Sequence, residues 1–298
     1  MTGKYKAARP KGHAPWSPHR KTEAVLGQTA EVLVQYRAFW PLTIRQVFYR
    51  LVAIYSYKKT QRGYARLSDY INRGRRSGRI PWAAIRDDGI HRTNPPGWKS
   101  TGAFSHAVQE AAAAYTRNKS VNQARKVTIL VEAAGMIPQI GQIASPYGVE
   151  VVSGSGFDSV TFKYMLAQEI LKDHRQAVIL HIGDFDPSGI CIFDSMQADV
   201  EAFIGDSGSL RATFRRLALT EEQVSEYQLP TAPPKATEKR GNRMAETCQA
   251  EALPPDILAG IVDSAIRGYY DQVQFEEDQK TEDIERAALV EKYVEQEK

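Results

Sequence analysis

The spacing of apolar residues changes near residue 126 and divides the chain into two halves. Before this point, apolar residues recur every three or four positions, which predicts helices over residues 22–40, 43–55, 64–76 and 104–119. Beyond it, short apolar runs predict strands over residues 126–132, 148–153, 177–183 and 211–219. Helical patterns alternate with these strands over residues 157–172, 188–203 and from residue 256, and a charged, exposed helix is expected over 276–298. This alternation predicts an α/β fold with a parallel sheet.

The order of the elements predicts four regions. Residues 1–21 are rich in basic residues and poor in apolar ones, and are expected to form a basic N-terminal arm. Residues 22–119 contain three short helices and then an extended return over 79–85, which is the order of a winged helix-turn-helix DNA-binding domain. Residues 126–255 are expected to form the sheet domain, and residues 256–298 a set of C-terminal helices.

Charge is distributed unevenly between the two halves. Residues 1–126 contain 24 Lys and Arg against 6 Asp and Glu, whereas residues 127–298 contain 15 basic and 29 acidic residues. The basic half favours binding to a polyanion such as double-stranded DNA, and a solvated basic surface is the alternative. The arginines in and around the third helix are the predicted contacts to the DNA backbone: Arg62, Arg66, Arg73, Arg75, Arg76 and Arg79.

Sequence features of export and membrane insertion are absent. No apolar run is long enough to cross a bilayer, and no apolar segment of a secretory signal follows the basic N-terminus. The two cysteines, Cys191 and Cys248, provide neither a zinc-binding spacing nor a disulfide framework. These features predict a protein of the reducing cytoplasm with no membrane partner, associated with the nucleoid if its basic half binds DNA.

Carboxylates follow two of the predicted strands. Glu132 ends the first strand, and Asp184 and Asp186 follow the third. Because the carboxyl ends of parallel strands meet at one edge of a sheet, these side chains are expected to converge. Grouped carboxylates repel one another unless a cation is present, and oxygen ligands suit Mg²⁺ or Mn²⁺. The sequence therefore predicts a metal site, with Glu251 as a fourth candidate ligand; ordinary turn chemistry is the alternative for the aspartates.

The second predicted helix carries a tyrosine and an arginine on one face. Thr43 and Gln46 form a capping-box pattern at the start of this helix, and its apolar stripe faces the core. Tyr49 is expected to lie to one side of that stripe, four residues after Arg45. From these residues alone, amphipathic packing is the simpler interpretation of Tyr49.

Several motifs resemble those of one known family. Residues 129–132, 153–157 and 183–192 resemble, in this order, the Toprim part of the topoisomerase VI A subunit and of the related meiotic double-strand-break protein. In that family a winged-helix domain precedes the Toprim domain and carries the catalytic tyrosine at the end of an Arg-x-x-aromatic-Tyr run, which residues 45–49 match. The resemblance covers roughly residues 40–255. It departs from the family at Ala133 and Ala134, where a basic residue is usual.

The resemblance implies a metal-dependent DNA-cleaving enzyme of the type IIB topoisomerase class. Tyr49 would attack a DNA phosphodiester and form a 5′-phosphotyrosyl link, with Arg45 on the scissile phosphate. Glu132, Asp184 and Asp186 would hold Mg²⁺, and Glu132 would also act as general acid or base. In the family, the tyrosine of one subunit meets the Toprim site of the other, which implies a homodimer. The chain is short for the family and no ATPase domain accompanies it, so it looks closer to the minimal A-subunit-like proteins of mobile elements or to Toprim nucleases; whether a separate ATPase subunit is a further partner is left open by the sequence.

Two other functions fit the same sequence. A hydrolytic Toprim nuclease, of the kind found in mobile elements or in defence, would attack DNA with water and use Tyr49 only for packing. A non-enzymatic DNA-binding regulator would keep the fold without the chemistry. Cleavage by a Tyr49→Phe protein would favour the nuclease. Normal DNA binding, with no effect of Asp184→Ala on any cleavage, would favour the regulator.

Overall fold

Packed helices make up the N-terminal half of the chain. The computed structural model describes residues 13–86, 97–153, 160–205, 211–234 and 245–293. The helices of this half are α1 (Arg20–Gln35), α2 (Ile44–Tyr55), α3 (Gln61–Arg76) and α4 (Thr101–Ala113). Two short strands, β1 (Leu42–Thr43) and β2 (Ile85–Arg86), form a parallel pair beside them. α2 begins as predicted: Gln46 N–H donates to Thr43 Oγ1 at 3.0 Å, and Thr43 N–H donates to Gln46 Oε1 at 2.9 Å.

A four-stranded parallel sheet forms the centre of the C-terminal half. Its strands are β3 (Arg125–Val131), β4 (Glu150–Ser153), β5 (Gln176–Ile182) and β6 (Ala212–Ala218), in the order β4-β3-β5-β6. The helices of this half are α5 (Ile137–Ala144), α6 (Val160–Lys172), α7 (Pro187–Ile204), α8 (Glu221–Glu226), α9 (Pro255–Tyr269) and α10 (Gln272–Tyr293). The prediction of an α/β fold with a parallel sheet is confirmed.

Both faces of the sheet are buried, as its apolar strands require. Successive residues of β3 belong to different apolar clusters, because side chains of a strand alternate between its faces. Ile129 and Val131 pack in the cluster that contains residues of α5 and α9, whereas Leu130 packs in the cluster of α6 and α7. The first cluster continues into α1, α2 and α3. One apolar core therefore joins the helical half to one face of the sheet.

α5 is a helix that the sequence pattern did not predict. Its eight residues span barely two turns, which is too short for an apolar period to stand out. Gln139 on this helix is buried and accepts a hydrogen bond from Gln46 Nε2 at 2.6 Å, while its own Nε2 donates to the Pro255 carbonyl at 3.0 Å. This amide chain fastens the start of α2 to the sheet half.

Several predicted boundaries differ from the structure. α1 ends at Gln35 and α4 at Ala113, both earlier than predicted, and residues 79–85 include a 3₁₀ turn over Trp82–Ala84. Residues 1–12 of the predicted arm and residues 154–157 of the second motif lie outside the described residues. Of the helices that the structure describes, none is long and apolar enough to cross a membrane.

The prediction of an exposed C-terminal helix was wrong for one face of α10. Asp278 and Glu282 on this face are each only 3% exposed. Glu282 is paired with Lys119, and Asp278 lies 3.4 Å from Arg117 Nε. Charged residues are buried here because cationic side chains from the loop after α4 neutralise them.

Candidate active site at the carboxyl edge of the sheet

Glu132 and Asp184 meet where two neighbouring strands end. Val131 of β3 lies opposite Ile182 of β5 in parallel register, so the residues that follow the two strands start side by side. Glu132 Oε2 accepts a hydrogen bond from the backbone N–H of Asp184 at 3.1 Å. The structure thus brings together two of the carboxylates that were predicted to converge. We refer to Glu132, Asp184 and Asp186 as the acidic edge.

Two glycines make room for the Glu132 side chain. A Cβ atom on Gly183 would lie 2.7 Å from Glu132 Oε2 and 2.5 Å from His181 Cε1. A Cβ atom on Gly189 would lie 2.7 Å from the Asp184 carbonyl oxygen. These distances are shorter than van der Waals contact, so a side chain at either position would displace the acidic edge.

The two aspartates of the acidic edge have different partners. Asp184 Oδ1 accepts a hydrogen bond from the backbone N–H of Ala250 at 2.9 Å. Asp186 Oδ1 accepts one from the backbone N–H of Gly189 at 2.7 Å and caps α7, with Pro187 at its first position. Turn chemistry, the alternative weighed for both residues, therefore accounts for the position of Asp186 but not for that of Asp184.

The negative charge of the acidic edge is only partly compensated, because the charge of Arg216 lowers the pKa values of Glu132 and Asp184 by less than burial raises them. Burial raises the pKa of Glu132, and the charges of Asp184 and Asp186 raise it further. Burial also raises the pKa of Asp184, and Asp186 adds to this effect. Hydrogen bonds from backbone N–H groups lower both pKa values, but by less than burial raises them. A cation bound between these carboxylates would therefore be stabilised.

Arg216 of β6 lies behind the acidic edge and was not predicted. Its Nη2 donates to the carbonyl oxygens of Gly183, at 3.1 Å, and of Asp184, and its Nε donates to the Leu219 carbonyl at 2.9 Å. Arg216 thus fixes the turn after β5 through backbone carbonyls rather than by pairing with the carboxylates. The sequence signal is weak, because Arg215 and Arg216 stand together in β6 and only the structure shows that Arg215 is exposed while Arg216 is half-buried.

The donor chemistry of the acidic edge fits a hard divalent cation. Glu132 and Asp184 supply two carboxylates at the same edge, with Glu132 Oε2 bonded to the backbone N–H of Asp184, and the charge of Asp186 raises the pKa values of both. In the part of the chain that the structure describes, no group of three or more His, Cys, Asp or Glu side chains is arranged to hold a metal ion. The carboxylate of the fourth candidate ligand, Glu251, pairs with Arg45 Nη1 at 3.3 Å.

Tyr49 is buried at the wall of a cavity with cationic and polar side chains. The residue is 5% exposed and belongs to the apolar core, so the expectation that it lies beside the core stripe was wrong. Its hydroxyl donates to Gln249 Oε1 at 2.5 Å. Burial raises the pKa of Tyr49, whereas the charge of Arg45 lowers it. The cavity has a volume of about 260 Å³, and its lining includes Arg45, Lys59, Tyr64 and Gln249.

Arg45 separates this cavity from a second one. The second cavity has a volume of about 290 Å³ and is lined by Arg45, Tyr64, Arg86 and Glu251 among others. The Arg45 side chain is 43% exposed, so part of its guanidinium is open to solvent while Nη1 contacts Glu251. Burial lowers the pKa of Arg45, but Glu251 and the neighbouring tyrosines together raise it above its usual value. Arg45 is therefore a fixed positive charge between two openings.

Residues 248–251, which we call the linking segment, are fastened to the acidic edge. Cys248 and Phe185 pair through two backbone hydrogen bonds, of 2.8 Å from Phe185 N–H and 2.9 Å from Cys248 N–H. Two residues later, the N–H of Ala250 donates to Asp184 Oδ1 at 2.9 Å. The linking segment therefore runs alongside the turn that carries the aspartates.

The same segment also contacts the helix that carries the tyrosine. Gln249 accepts the hydrogen bond of the Tyr49 hydroxyl, and Glu251 pairs with Arg45. These contacts join residues that are 200 and 206 positions apart in the sequence. The candidate nucleophile and the acidic edge thus share one short stretch of the same chain.

The arginines predicted to contact DNA lie in several environments. Arg62 and Arg66 of α3 are exposed, and Arg76 is half-buried. Arg73 is exposed and pairs with Asp69 at 3.0 Å. Surface ion pairs of this kind contribute little to stability, so Arg73 can exchange its partner for a phosphate.

Arg75 and Arg79 have established partners within the chain. Arg75 is only 7% exposed, donates to the Ile85 carbonyl at 3.0 Å and stacks over the Trp82 ring at 4.5 Å. The prediction that Arg75 contacts DNA was therefore wrong, because its guanidinium is used to hold β2 against α3. Arg79 forms a two-oxygen contact with Glu23 at 2.6 and 2.9 Å on the surface.

Comparison with known proteins did not identify a relative of this chain. No protein-family model matches the chain, and no match was found among curated proteins or among solved structures. The support for a function therefore comes from the residues themselves and from the geometry of the acidic edge, Tyr49 and the linking segment.

Proposed function

We propose that the chain is a DNA-cleaving transesterase of the type IIB topoisomerase class, with Tyr49 as its nucleophile. The observation that carries this proposal is the linking segment, which bonds the Tyr49 hydroxyl and the Asp184 carboxylate through adjacent residues. The negative charge of Asp184 raises the pKa of the Tyr49 hydroxyl. A candidate nucleophile and a candidate cation site thus belong to one neighbourhood, which is the proximity that phosphoryl transfer needs.

The proposed reaction exchanges one phosphate ester for another. The Tyr49 oxygen attacks phosphorus and loses its proton, a phosphorus–tyrosine oxygen bond forms, and the bond from phosphorus to the 3′ oxygen breaks. The 3′ oxygen takes up a proton and leaves as a hydroxyl, while the 5′ end stays attached to the protein. Glu132 is the candidate that exchanges these protons, because burial raises its pKa above that of an exposed glutamate.

Two positive charges would act on the phosphate in this proposal. Arg45 lines the cavity beside Tyr49 and would bind a non-bridging phosphate oxygen. Mg²⁺ or Mn²⁺ bound at the acidic edge would supply further positive charge to the phosphate. Burial keeps Tyr49 protonated, so Arg45 also assists by favouring the ionised hydroxyl.

Arg62, Arg66 and Arg73 are exposed arginines of α3 that are proposed to contact the DNA backbone. Contacts of this type carry no sequence information, so binding is expected to weaken steeply as salt concentration rises. The proposed winged-helix and Toprim arrangement is supported by the order of the elements and by the parallel sheet. The basic composition of residues 1–126 supports double-stranded DNA as the partner.

Incubation of the protein with supercoiled plasmid and Mg²⁺ or Mn²⁺ tests the proposal. After denaturation, cut DNA is expected to carry protein that only protease removes. Tyr49→Phe should abolish both the cutting and the attached protein. Tyr55→Phe is the matched control, because it removes a hydroxyl from the same helix at a site where that hydroxyl bonds Glu31 on the surface. Cut ends free of protein would contradict tyrosine chemistry.

Hydrolytic cleavage by metal-bound water is the second candidate function. The observation that favours it is the burial of Tyr49, whose hydroxyl is held by Gln249 and has a raised pKa. In that case Tyr49→Phe would still cut plasmid in the presence of Mg²⁺ or Mn²⁺, and no protein would remain attached. Loss of cutting in an Asp184→Asn protein alone would then identify the acidic edge as the sole source of catalysis.

A further inference from the structure

We propose that the cavity beside Tyr49 is an anion-binding subsite, in which Lys59 and Arg45 together hold a phosphate of the DNA backbone. Lys59 lies on the connection between α2 and α3, over residues 56–60, and was not among the predicted DNA contacts. The inference rests on the proposed function and adds a substrate-binding residue to it. The subsite is compatible with an acidic edge supplied by either chain of a dimer.

The charged side chains that line this cavity are cationic. Of its described lining residues, Arg45 and Lys59 carry a charge and none is Asp or Glu. The neighbouring cavity differs, because Glu251 lines it and pairs with Arg45. A concave surface with cations and no carboxylate attracts an anion, and the anions that DNA presents are its backbone phosphates.

The connection that carries Lys59 is fixed at both ends. Ser56 ends α2 in the left-handed region, at φ 53°. Thr60 caps α3, because its Oγ1 accepts a hydrogen bond from the Gly63 N–H at 3.0 Å. A Cβ atom on Gly63 would overlap the Lys58 carbonyl oxygen, so glycine is needed where α3 begins this close to the connection. The backbone of Lys59 is therefore held in place before a ligand binds.

The Lys59 ammonium is held beside the cavity by a neutral acceptor. Its Nζ donates to the Pro230 carbonyl at 2.6 Å and lies 5.6 Å from the centroid of the Tyr49 ring. This bond orients the ammonium without cancelling its charge, and an ammonium can donate three hydrogen bonds. Burial lowers the pKa of Lys59, and Cys248 and Glu246 offset only part of this effect. A bound phosphate would supply further negative charge and stabilise the ammonium form.

Arg45 reaches the same cavity from α2. Its guanidinium lies over the Tyr64 ring, 5.9 Å from the ring centroid, and contacts Glu251 through Nη1. A guanidinium can donate five hydrogen bonds, so this contact leaves donors for a second acceptor. Because Arg45, Lys59 and Tyr49 line one cavity, a phosphate held by both cations would border the Tyr49 ring. Charge-assisted contacts from two different elements would set its orientation as well as its affinity.

Lysine footprinting tests the contact without requiring cleavage. Wild-type protein is acetylated briefly in EDTA, with and without saturating duplex DNA, and mass spectrometry measures the modification of each lysine. Lys58 is the matched control, because it is the neighbouring residue and is exposed. DNA is expected to slow acetylation of Lys59 by about tenfold and that of Lys58 by less than about twofold, because only Lys59 would hold a phosphate. Bound DNA that protects Lys59 no more than Lys58 would overturn the inference, whereas a protein that binds no DNA would refute the proposed function as well.

The salt dependence of DNA binding tests the charge of Lys59. Loss of one phosphate contact should lower the slope of log Kd against log salt concentration by about 0.9. Lys59→Gln is expected to show this loss, whereas Lys58→Gln and Lys59→Arg should keep the wild-type slope, since Lys59→Arg retains the charge. If Lys59 served only to hold Pro230, Lys59→Gln would lower the Tm and leave the slope unchanged, which would contradict the inference.

A phosphate held beside Tyr49 should also affect cleavage. At saturating DNA, Lys59→Gln is expected to slow single-turnover cleavage by at least about tenfold, because one of the charges on the phosphate is lost. Lys58→Gln should cleave at the wild-type rate, and Lys59→Arg should recover most of the activity. Equal rates for Lys59→Gln and Lys58→Gln would overturn the placement of this phosphate beside Tyr49.

Discussion

The acidic edge and the buried face of α10 differ in how their carboxylates are held. Glu132, Asp184 and Asp186 are partly buried, whereas Asp278 and Glu282 are buried and pair directly with cationic side chains. Glu282 of α10 pairs with Lys119, and both side chains are at most 4% exposed. At the acidic edge, Glu132 and Asp184 accept hydrogen bonds from backbone N–H groups. Arg216 donates hydrogen bonds to the backbone carbonyl oxygens of Gly183, Asp184 and Leu219.

The difference appears in the direction of the pKa shifts. Burial raises the pKa of Glu282, but the hydrogen bonds and charges from Lys119 and Arg286 lower it to below its usual value. Burial and mutual repulsion leave the pKa values of Glu132 and Asp184 above theirs. A buried carboxylate that pairs directly with a cation of its own chain stabilises the fold, whereas one whose pKa stays raised despite nearby cations is suited to bind a further cation from outside. The direction of the pKa shift therefore distinguishes the two groups of carboxylates.

The largest expected effect comes from neutralising one carboxylate of the acidic edge. Asp184→Asn should lower plasmid cleavage by at least about 1000-fold, because the proposed cation, which would stabilise the phosphate, would lose a ligand. In the absence of divalent cations, its free energy of unfolding should equal or exceed that of the wild type, since repulsion from Glu132 and Asp186 is relieved. Cleavage assays and urea unfolding in EDTA measure the two effects. A strongly destabilised Asp184→Asn protein would remove the distinction between the two groups.

The opposite pattern is expected for the cation of the α10 group. Lys119→Met leaves Glu282 buried with less compensation and should cost about 3–5 kcal/mol of unfolding free energy. The double variant Lys119→Met, Glu282→Gln removes both charges and should recover part of this loss. Urea unfolding of the three proteins measures the coupling between the two positions. If Lys119→Met were as stable as the wild type, the buried pair would not be a stabilising feature of the fold.

Those parts of the molecule that depend on local sequence could be predicted. The convergence of Glu132 and Asp184 follows from two apolar strands that end in carboxylates, and the start of α2 follows from the capping box at Thr43. The alternation of strand and helix patterns also predicted the parallel sheet that the structure contains. These features are encoded within a few residues, where periodicity and turn chemistry act.

Contacts between distant parts of the chain could not be predicted. Gln249 meets Tyr49 across 200 positions, and Lys119 meets Glu282 across 163. Residues that pair at such separations leave no periodic signal, so α10 had the pattern of a solvated charged helix although one of its faces is buried. Arg75 shows the same limitation, because a buried arginine of α3 and an exposed one look alike in the sequence.

Binding of a divalent cation is expected to distinguish the acidic edge from the buried carboxylates of α10. Saturating Mg²⁺ or Mn²⁺ should raise the unfolding free energy of the wild type by about 1–3 kcal/mol, because the ion binds the folded acidic edge. The increase should disappear in Asp184→Asn and persist in Glu282→Gln, which leaves the acidic edge intact. Thermal unfolding at several ion concentrations measures this difference. An equal shift in both variants would mean that the ion binds elsewhere.

The smallest expected effect concerns a third carboxylate, which is only partly buried but well paired. Asp173 accepts hydrogen bonds from Arg175 Nε at 2.9 Å, Arg175 Nη2 at 2.7 Å and the Arg175 N–H at 3.0 Å. These bonds lower the pKa of Asp173 well below its usual range, so the group resembles Glu282 rather than Asp184. Asp173→Asn should cost about 1 kcal/mol of unfolding free energy at pH 7, because both side chains are partly solvated.

Asp173→Asn and Asp184→Asn are expected to change the free energy of unfolding in opposite directions at neutral pH, and both effects should fade in acid. Because the pKa of Asp173 is lower in the folded than in the unfolded chain, its contribution is fully present above the unfolded value of about 3.9 and declines as pH falls below it. The difference between wild type and Asp173→Asn should therefore shrink between about pH 5 and pH 3. For Asp184→Asn in EDTA, the direction is reversed: any gain in stability is present at neutral pH and vanishes in acid, once the wild-type carboxyl is protonated. Urea unfolding of the three proteins across this range tests whether compensation by a cation, rather than burial, decides what each carboxylate does.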